Sequence, residues 1–197
     1  MRNTLLLFIP FLLLSCNAGD PSGADFCAAK PWYQGEAMSV NEDQVMMNLS
    51  AEFIPNPQVQ GHFDHNEIIA FAIDHAIDLK VTPSGLFYYI LEEGVGNKID
   101  WGEKIEVHYK GFYLDGQLFD SSCRKGQALE FFVGNMIDGW NEGLQILGAG
   151  GKAILLVPSR LAYGEEGLKD SNGKELVPPN QVLIFELQLG RKISSVQ

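Results

Sequence analysis

The chain has 197 residues, of which 46% are hydrophobic and 20% are charged, and this ordinary globular composition suits one domain with an additional segment. The formal net charge of -11 argues against a nucleic-acid partner, because phosphate binding requires clustered lysine and arginine. The charge is uneven: residues 17–80 contain ten acidic and two basic residues, and residues 81–197 contain fifteen and eleven. The front part is therefore the acidic one.

Residues 1–15 are predicted to be a signal peptide of the lipoprotein type. The apolar run from Leu5 to Leu14 is about half as long as a membrane-spanning helix. The following Ser15-Cys16 pair resembles the lipobox of bacterial lipoproteins, in which the cysteine becomes the lipidated first residue. The alternative is an ordinary signal peptide with an incidental cysteine. We expect lipidation at Cys16, which would anchor an exported protein to a bacterial membrane, facing the periplasm or the cell exterior.

Residues 16–38 contain Gly, Pro, Ser and Ala with little periodicity, and they are predicted to be an acidic flexible tether. Cys27 lies in this segment and Cys123 lies much later. An exported protein could join the two cysteines, but their spacing leaves the pairing open. No Cys-x-x-Cys spacing occurs, which argues against a redox motif.

Residues 39–81 are predicted to form two short amphipathic helices. A Ser-x-x-Glu capping box at residues 39–42 precedes apolar residues at helical spacing up to Phe53. The second helix is expected to begin at Asn66 as its cap, to carry an apolar stripe to Ile77, and to end at residues 82–85. Because two short helices bury little alone, they must pack on the main domain, on each other or on a second copy in a homodimer.

Residues 82–197 are predicted to form the main domain, which is rich in strands. In residues 104–113, Ile105, Val107 and Tyr109 alternate with polar residues, and His108 is expected to face solvent. Asp115-Gly116 supplies a favoured hairpin turn. Further strands are expected in residues 86–91, 128–134, 152–158 and 183–189.

One short helix interrupts these strands. Ile137, Trp140, Leu144 and Leu147 recur at helical spacing, and Gly148 is a plausible end. The predicted fold class is α+β, with a twisted antiparallel sheet wrapped around this short helix and a helical segment in front of it.

Motifs for covalent, metal or phosphate chemistry are sparse in the sequence. Ser159 lacks the Gly-x-Ser-x-Gly elbow of hydrolases, and there is no glycine-rich phosphate loop. The cluster His62, Asp64, His65 and Glu67 matches no strong metal motif, so a solvated loop is the simpler interpretation. We therefore expect no metal and no cofactor.

Aromatic residues are the prominent feature. Six of them come from six different predicted elements: Tyr109, Phe119, Phe131, Trp140, Tyr163 and Phe185. A plain hydrophobic core would also explain them. Trp140, however, lies between Gly139 and Gly143, and each glycine costs a short helix about 1 kcal/mol. These glycines suggest that something approaches the helix closely.

Three segments resemble the FKBP-type peptidyl-prolyl isomerases, the macrolide-binding immunophilins. The segments are "VHYKGFYLDGQLFDSS", "GWNEGLQILGAGGKAILLVPSRLAYG" and "LVPPNQVLIFELQL", and the resemblance runs from about residue 82 to 189. The front of the chain is similar to that of exported bacterial members. The resemblance implies non-covalent cis–trans isomerisation of proline bonds, with unfolded or partly folded proline-containing proteins as clients and a macrolide as a further ligand.

The resemblance also implies a pocket for proline. The positions that it assigns to catalysis are Tyr109, Phe119, Asp120, Ile137, Trp140, Tyr163 and Phe185. Those that it assigns to substrate binding are Leu129, Phe131, Met136, Leu176 and Val177. Trp140 would form the floor, Ile137 would offer its backbone N–H, and Tyr163 would place a hydroxyl at the rim. Asp120 would act by charge and position, because bond rotation moves no proton.

A different class of function remains open on the same fold. Leu129 stands where many members of the family have an aromatic residue, and residues 165–179 form a longer flap than in the smallest members. These departures favour a chaperone or peptide-binding module with little isomerase activity as the alternative.

Overall fold

The computed structural model describes residues 23–32 and 41–193. The helices are α1 (Ala24–Ala28), α2 (Glu42–Ser50), α3 (Gln60–Asp74), α4 (Ser122–Lys125) and α5 (Asp138–Leu144), with a 3-10 turn at Ser159–Leu161. The strands are β1 (Lys80–Val81), β2 (Phe87–Glu92), β3 (Lys104–Tyr113), β4 (Leu118–Ser121), β5 (Leu129–Phe132), β6 (Lys152–Val157), β7 (Leu168–Lys169), β8 (Glu175–Val177) and β9 (Leu183–Lys192). No described helix has the length and apolar character that crossing a bilayer requires.

Seven strands form one antiparallel sheet in the order β1-β2-β6-β9-β3-β4, and β5 also pairs with β3. Strands β7 and β8 form a separate hairpin. The β3–β4 connection turns at Asp115-Gly116, where Gly116 adopts a φ of 83° that glycine tolerates best. The α+β fold class predicted from the sequence is therefore confirmed.

The inner face of the sheet packs on α5 and forms the main core. Every second residue of β9 from Leu183 to Leu189 is buried in it, as the alternation predicts. Gly139 and Gly143 lie against β6: a Cβ on Gly139 would come 2.5 Å from Val157, and one on Gly143 would come 2.4 Å from Leu155. Strand β6 is thus the neighbour whose approach the two glycines permit.

Helices α2 and α3 pack on each other and on the apolar half of the outer face. Val45, Leu49, Ile68 and Ile69 are buried there with sheet residues such as Ile184. Two of the three arrangements expected for short amphipathic helices are therefore present, and packing on a second copy stays a prediction.

Both predicted starts of these helices differ from the structure. Asn41 caps α2 by accepting a hydrogen bond from the Gln44 N–H at 3.2 Å, while Ser39 lies outside the described residues. Helix α3 begins at Gln60, so Asn66 lies within it and instead bonds both backbone groups of Ile54, at 2.9 and 3.0 Å. Asn66 therefore binds the backbone of the preceding loop and does not cap the helix.

The predicted end of the second helix was also too late. Helix α3 ends at Asp74, and Ala76 adopts a φ of 52° just beyond it. A left-handed alanine is uncommon, so the sequence contains no obvious stop signal there.

Residues 23–32 cover the polar half of the outer face. Cys27 and Cys123 form a disulfide with a Cα–Cα distance of 5.5 Å. Lys110 Nζ donates to the Ala29 carbonyl at 2.8 Å and lies 4.8 Å from the centre of the Phe26 ring. This part of the predicted tether is therefore attached to the sheet rather than extended from it.

Residues 23–32 also explain why His108 does not face solvent as expected. The side chain alternates away from the core as predicted, but it is buried because Gly23 and Phe26 lie over it. The Phe26 and His108 ring centroids are 6.4 Å apart. Alternation predicts which face of the sheet a side chain lies on, but it does not predict whether that face is covered by another segment.

Candidate functional site

A small cleft opens on the inner face of the sheet, between α5, β3, β4, β9 and the loop that follows the 3-10 turn. Its volume is ≈ 60 Å³. The residues that line it are Tyr109, Phe119, Asp120, Leu129, Met136, Ile137, Trp140, Tyr163 and Phe185. All seven positions that the family resemblance assigns to catalysis therefore meet at one place, together with two of those that it assigns to substrate binding.

Trp140 forms the floor of the cleft and is only 2% exposed. The rings of Tyr109 and Phe185 meet it edge to face, with centroid distances of 5.1 and 5.2 Å and interplanar angles of 73° and 89°. Phe119 extends the wall at 5.8 Å from Phe185. Such contacts each contribute about 0.5–1.5 kcal/mol beyond simple burial, so the apolar wall is fixed before a ligand arrives.

Gly111 makes room for this wall, and sequence reasoning did not single it out. A Cβ at this position would lie 2.7 Å from the Phe119 ring and 3.0 Å from the Phe185 ring. It sits on the inner face of β3, two residues after Tyr109. Along the inner face of β3, the large ring of Tyr109 is therefore followed by a glycine, which leaves space for the rings of Phe119 and Phe185.

The polar rim contains a residue that the sequence analysis missed. The Tyr109 hydroxyl donates to Asp120 Oδ2 at 2.7 Å, and Lys125 Nζ donates to both, at 2.6 Å to the hydroxyl and 2.7 Å to the carboxylate. Lys125 closes helix α4, which begins directly after β4 and brings the ammonium group back to Asp120. The only available clue was the five-residue spacing between the opposite charges.

This triad shifts the acid–base properties of its members. Burial acts to raise the pKa of Asp120, but hydrogen bonds from Lys125 and Tyr109 outweigh it, and the pKa is lowered. Burial is the main reason that the pKa of Tyr109 is raised. Desolvation opposes the charge on Lys125, yet its bonds to Asp120 and Tyr109 prevail and raise its pKa. The rim therefore holds a fixed ion pair at neutral pH.

Three hydrogen-bond donors of the cleft have no acceptor among the described residues: the indole N–H of Trp140, buried in the floor, and two groups nearer the opening. Ile137 is the N-cap of α5, so its backbone N–H lies outside the helix. The Tyr163 hydroxyl also makes no hydrogen bond to a described residue, and burial raises its pKa. Both groups remain available to a polar atom of a ligand held over Trp140.

Three predicted substrate-binding residues lie outside the lining. Phe131 packs behind Trp140 at a centroid distance of 5.9 Å, and Val177 is buried in the core. Leu176 is 42% exposed, and its carbonyl accepts a 2.7 Å hydrogen bond from the Tyr113 hydroxyl. Tyr113 also packs 5.1 Å from Phe119, so the β7–β8 hairpin is attached to the wall of the cleft.

The predicted loop of potential metal ligands is a helix. His62, Asp64, His65 and Glu67 lie on α3, and Asp64 is fully buried against Ser159. Within residues 23–32 and 41–193, no group of three or more His, Cys, Asp or Glu side chains converges as metal ligands would.

A larger cavity of ≈ 260 Å³ lies on the outer face, beneath residues 23–32. Its walls include Phe26, Trp32 and Leu91, with the buried pair Lys110 and Glu186 at its base. The polar groups of that pair bond each other and the covering segment, whereas the smaller cleft presents donors without acceptors. The smaller cleft is therefore the better candidate for recognition.

Comparison with known proteins identifies the family of this chain. Residues 96–190 match the family model "FKBP-type peptidyl-prolyl cis-trans isomerase". A "Probable FKBP-type peptidyl-prolyl cis-trans isomerase" of Haemophilus influenzae is 41% identical over 112 residues, which is 57% of this chain and 44% of that protein. A "Probable FKBP-type peptidyl-prolyl cis-trans isomerase FkpA" of Neisseria meningitidis is 33% identical, over 80% of this chain and 59% of the relative. The chain thus spans about half the length of the curated relatives that it matches.

Solved structures extend the likeness to the fold. The crystal structure of AtFKBP13 has a TM-score of 0.54 and 35% identity, covering 59% of this chain and 99% of its own. A peptidyl-prolyl cis-trans isomerase of Pseudomonas syringae has a TM-score of 0.52 and 26% identity, covering 80% of this chain and 99% of its own. On these sequence and structural matches, the chain belongs to the FKBP-type peptidyl-prolyl cis–trans isomerase family.

Proposed function

We propose that this protein is a peptidyl-prolyl cis–trans isomerase that assists the folding of exported proteins. One observation carries the proposal: an aromatic cleft floored by Trp140 presents two donors, the Ile137 N–H and the Tyr163 hydroxyl, without acceptors among the described residues. The cleft suits a small apolar ring whose neighbouring carbonyl needs a hydrogen bond. A proline residue of an unfolded or partly folded client has this chemistry.

The chemical problem is the barrier to rotation about the X–Pro bond. That barrier is about 18–20 kcal/mol, because twisting removes amide resonance. The planar amide is the more charge-separated state, so an apolar cleft disfavours it more than the twisted one. Only such a difference accelerates the reaction. A barrier lowered by about 5 kcal/mol would give an acceleration of several thousand-fold.

The cleft residues would divide this work. Trp140, Tyr109, Phe119 and Phe185 would hold the proline ring, while Ile137 and Tyr163 would hold the carbonyl during rotation. Asp120 would act through the field and position of its bond to Tyr109 rather than as a base, since no proton moves. The reaction needs neither a nucleophile nor a metal.

A protease-coupled assay on a short X–Pro peptide tests the proposal. We expect the wild type to accelerate isomerisation and Trp140→Ala to abolish most of the effect. Trp101→Ala is the matched control, because Trp101 is 66% exposed and lies outside the cleft. A folded wild-type protein without acceleration would exclude the isomerase, and equal acceleration by Trp140→Ala would exclude this cleft as the place where it acts. Displacement of the peptide by a macrolide would test the second ligand that the family resemblance implies.

Export and anchoring are part of the proposal. The leader at residues 1–15 and Cys16 lies outside the described residues, so it supports export by its sequence pattern alone. The Cys27–Cys123 disulfide supports it independently, because such bonds persist mainly in oxidising compartments. Mass spectrometry of the mature protein should find an acylated N-terminus at Cys16. An unmodified Cys16 would leave an exported protein without this membrane anchor.

A chaperone module with little isomerase activity is the second candidate, and helices α2 and α3 favour it. Met46, Met47 and Phe63 are 51%, 66% and 46% exposed. This apolar surface suits either an unfolded client or the same surface of a second copy. Prevention of aggregation of a proline-free client, with negligible turnover of proline peptides, would support the chaperone. Sedimentation of the wild type beside Met47→Asp would identify a homodimer by a change in mass.

A further inference from the structure

The loop that carries Tyr163 is held from behind by helix α3. Asp64 Oδ2 accepts hydrogen bonds from the Ser159 backbone N–H at 2.7 Å and from the Ser159 hydroxyl at 2.6 Å. Gln60 donates to the other carboxylate oxygen at 2.7 Å. Asp64 is 0% exposed and Ser159 is 2% exposed, so the two bonds between them are shielded from water. The front segment therefore makes its most buried polar contact with the catalytic domain at this point.

Ser159 transmits this contact to both neighbours of Tyr163. Its backbone carbonyl accepts hydrogen bonds from the Ala162 N–H at 2.9 Å and from the Gly164 N–H at 2.8 Å. On the other side, the Gly164 carbonyl accepts from the Asn180 N–H at 2.8 Å. The residues on either side of Tyr163 are thus bound to a single carbonyl group, whose own residue is fixed by Asp64.

We infer that Asp64 is a positioning residue for the proline cleft, which holds the Tyr163 hydroxyl over Trp140 through Ser159. A buried carboxylate is costly unless it is hydrogen-bonded, and two of the three bonds to Asp64 come from this turn. Removing the carboxylate would leave the Ser159 N–H and hydroxyl buried without partners, and the turn would shift to reach water. The effect of Asp64 on catalysis rests on the proposed function, whereas its effect on the turn does not.

Amide hydrogen exchange tests the effect on the turn without any activity measurement. In Asp64→Ala, we expect the Ala162 and Gly164 amides to exchange about tenfold faster, since the turn loses the buried hydrogen bonds that hold Ser159. The amides of β9 far from the turn should be unchanged. Asp64→Asn keeps an acceptor of the same shape and should restore protection. Unchanged exchange at Ala162 and Gly164 in Asp64→Ala would overturn the inference.

A double-mutant cycle tests the effect on catalysis. Asp64→Ala and Tyr163→Phe should each lower kcat/KM per folded molecule, and the double variant should be little worse than either alone, because both remove the same placed hydroxyl. Ser159→Ala should have a smaller effect, since its N–H still bonds Asp64. It also provides a test should Asp64→Ala not fold. Additive losses, or a loss in Asp64→Ala with none in Tyr163→Phe, would overturn the inference.

The two failures can be told apart. A folded wild type with no isomerase activity would refute the proposed function, and the exchange experiment would still decide whether Asp64 holds the turn. An active wild type with loosened amides but full activity in Asp64→Ala would refute the positioning role alone.

Discussion

The two faces of the sheet enclose their contents in different ways. The inner face is apolar, wraps around α5 and leaves a small cleft. The outer face buries His108, Lys110, Glu186 and Gln188, and it depends on residues 23–32 and helices α2 and α3 for its cover. The inner face thus follows from the alternation of nearby residues, whereas the outer face needs contacts between distant segments. We expect these covering segments to stabilise the sheet, and we expect the cleft to provide the proposed recognition of proline.

We expect the largest loss of stability when the buried ion pair of the outer face is broken. Lys110 and Glu186 lie 3.5 Å apart with side chains 8% and 6% exposed. Lys110→Met should lower the free energy of unfolding by about 3–5 kcal/mol at pH 7, because it leaves a buried carboxylate without its counter-charge. Urea unfolding would measure this change.

Two variants control that experiment. Lys104→Met removes a pair with Glu130 that is 34% and 51% exposed, so its cost should stay below about 1 kcal/mol. The double variant Lys110→Met/Glu186→Leu should recover much of the lost stability. Equal costs for the Lys110 and Lys104 variants would contradict the proposed importance of the cover.

Removing the disulfide should have the next largest effect. Cys27→Ser/Cys123→Ser opens a link between residues 96 positions apart and frees the segment over the outer face. We expect a loss of about 2–4 kcal/mol in thermal or urea unfolding. Isomerase activity at low temperature should change little, because neither cysteine lines the cleft. A large loss of activity in a folded variant would show that the two faces are strongly coupled.

At the inner face, we expect a substitution that lowers activity more than it lowers stability. Lys125→Met removes the ammonium group that bonds Tyr109 and Asp120, although its side chain is 51% exposed. Stability should fall by less than about 1 kcal/mol. Loss of the hydrogen bonds should lower kcat/KM about threefold to tenfold in the peptide assay. Unaltered kcat/KM would mean that the rim triad does not orient Tyr109.

The smallest expected effect is a difference between the two faces in how their carboxyl groups make the free energy of unfolding depend on pH. Burial raises the pKa of Glu186 above its ordinary 4.5, so the contribution of this group to stability is greatest below 4.5 and is lost as pH rises through the folded value. The lowered pKa of Asp120 has the opposite sign. Its contribution is present above the ordinary 3.8 and is lost as pH falls through the folded value.

Unfolding from pH 3 to 7 should reveal both contributions. Glu186→Gln should flatten the part of the stability curve that declines from about pH 4.5 upward, whereas Asp120→Asn should flatten the part below pH 4. If both variants flattened the same range, the assignment of opposite signs would be wrong.

The inner face could be predicted from the sequence because its pattern is local. Alternation placed Tyr109 and Phe185 inward, and the resemblance placed Trp140 at the floor; all three line the cleft. Lys125 was missed because its role depends on how α4 returns to β4. His108 was misjudged because only residues 23–32, far away in the chain, determine whether the outer face meets water.

The front segment was harder to predict for the same reason. Asn66 has the chemistry of a helix cap, yet it bonds Ile54 because the preceding loop folds back onto α3. Asp64 looked like part of a solvated loop, although its partner, Ser159, lies 95 positions later. Propensity and spacing describe interactions between residues that are close in sequence. These two side chains instead form hydrogen bonds with residues that are distant in sequence.

The Cys27–Cys123 link has a consequence for the resistance of this chain to proteases. It closes a ring that contains helices α2 and α3 and strands β1 to β4. A single backbone cut anywhere within this ring, such as in the loop between α2 and α3, would leave the two pieces covalently joined. Their reassociation would then be intramolecular, at an effective concentration that does not fall on dilution. A nicked molecule would therefore keep its pieces together for as long as the disulfide stays oxidised.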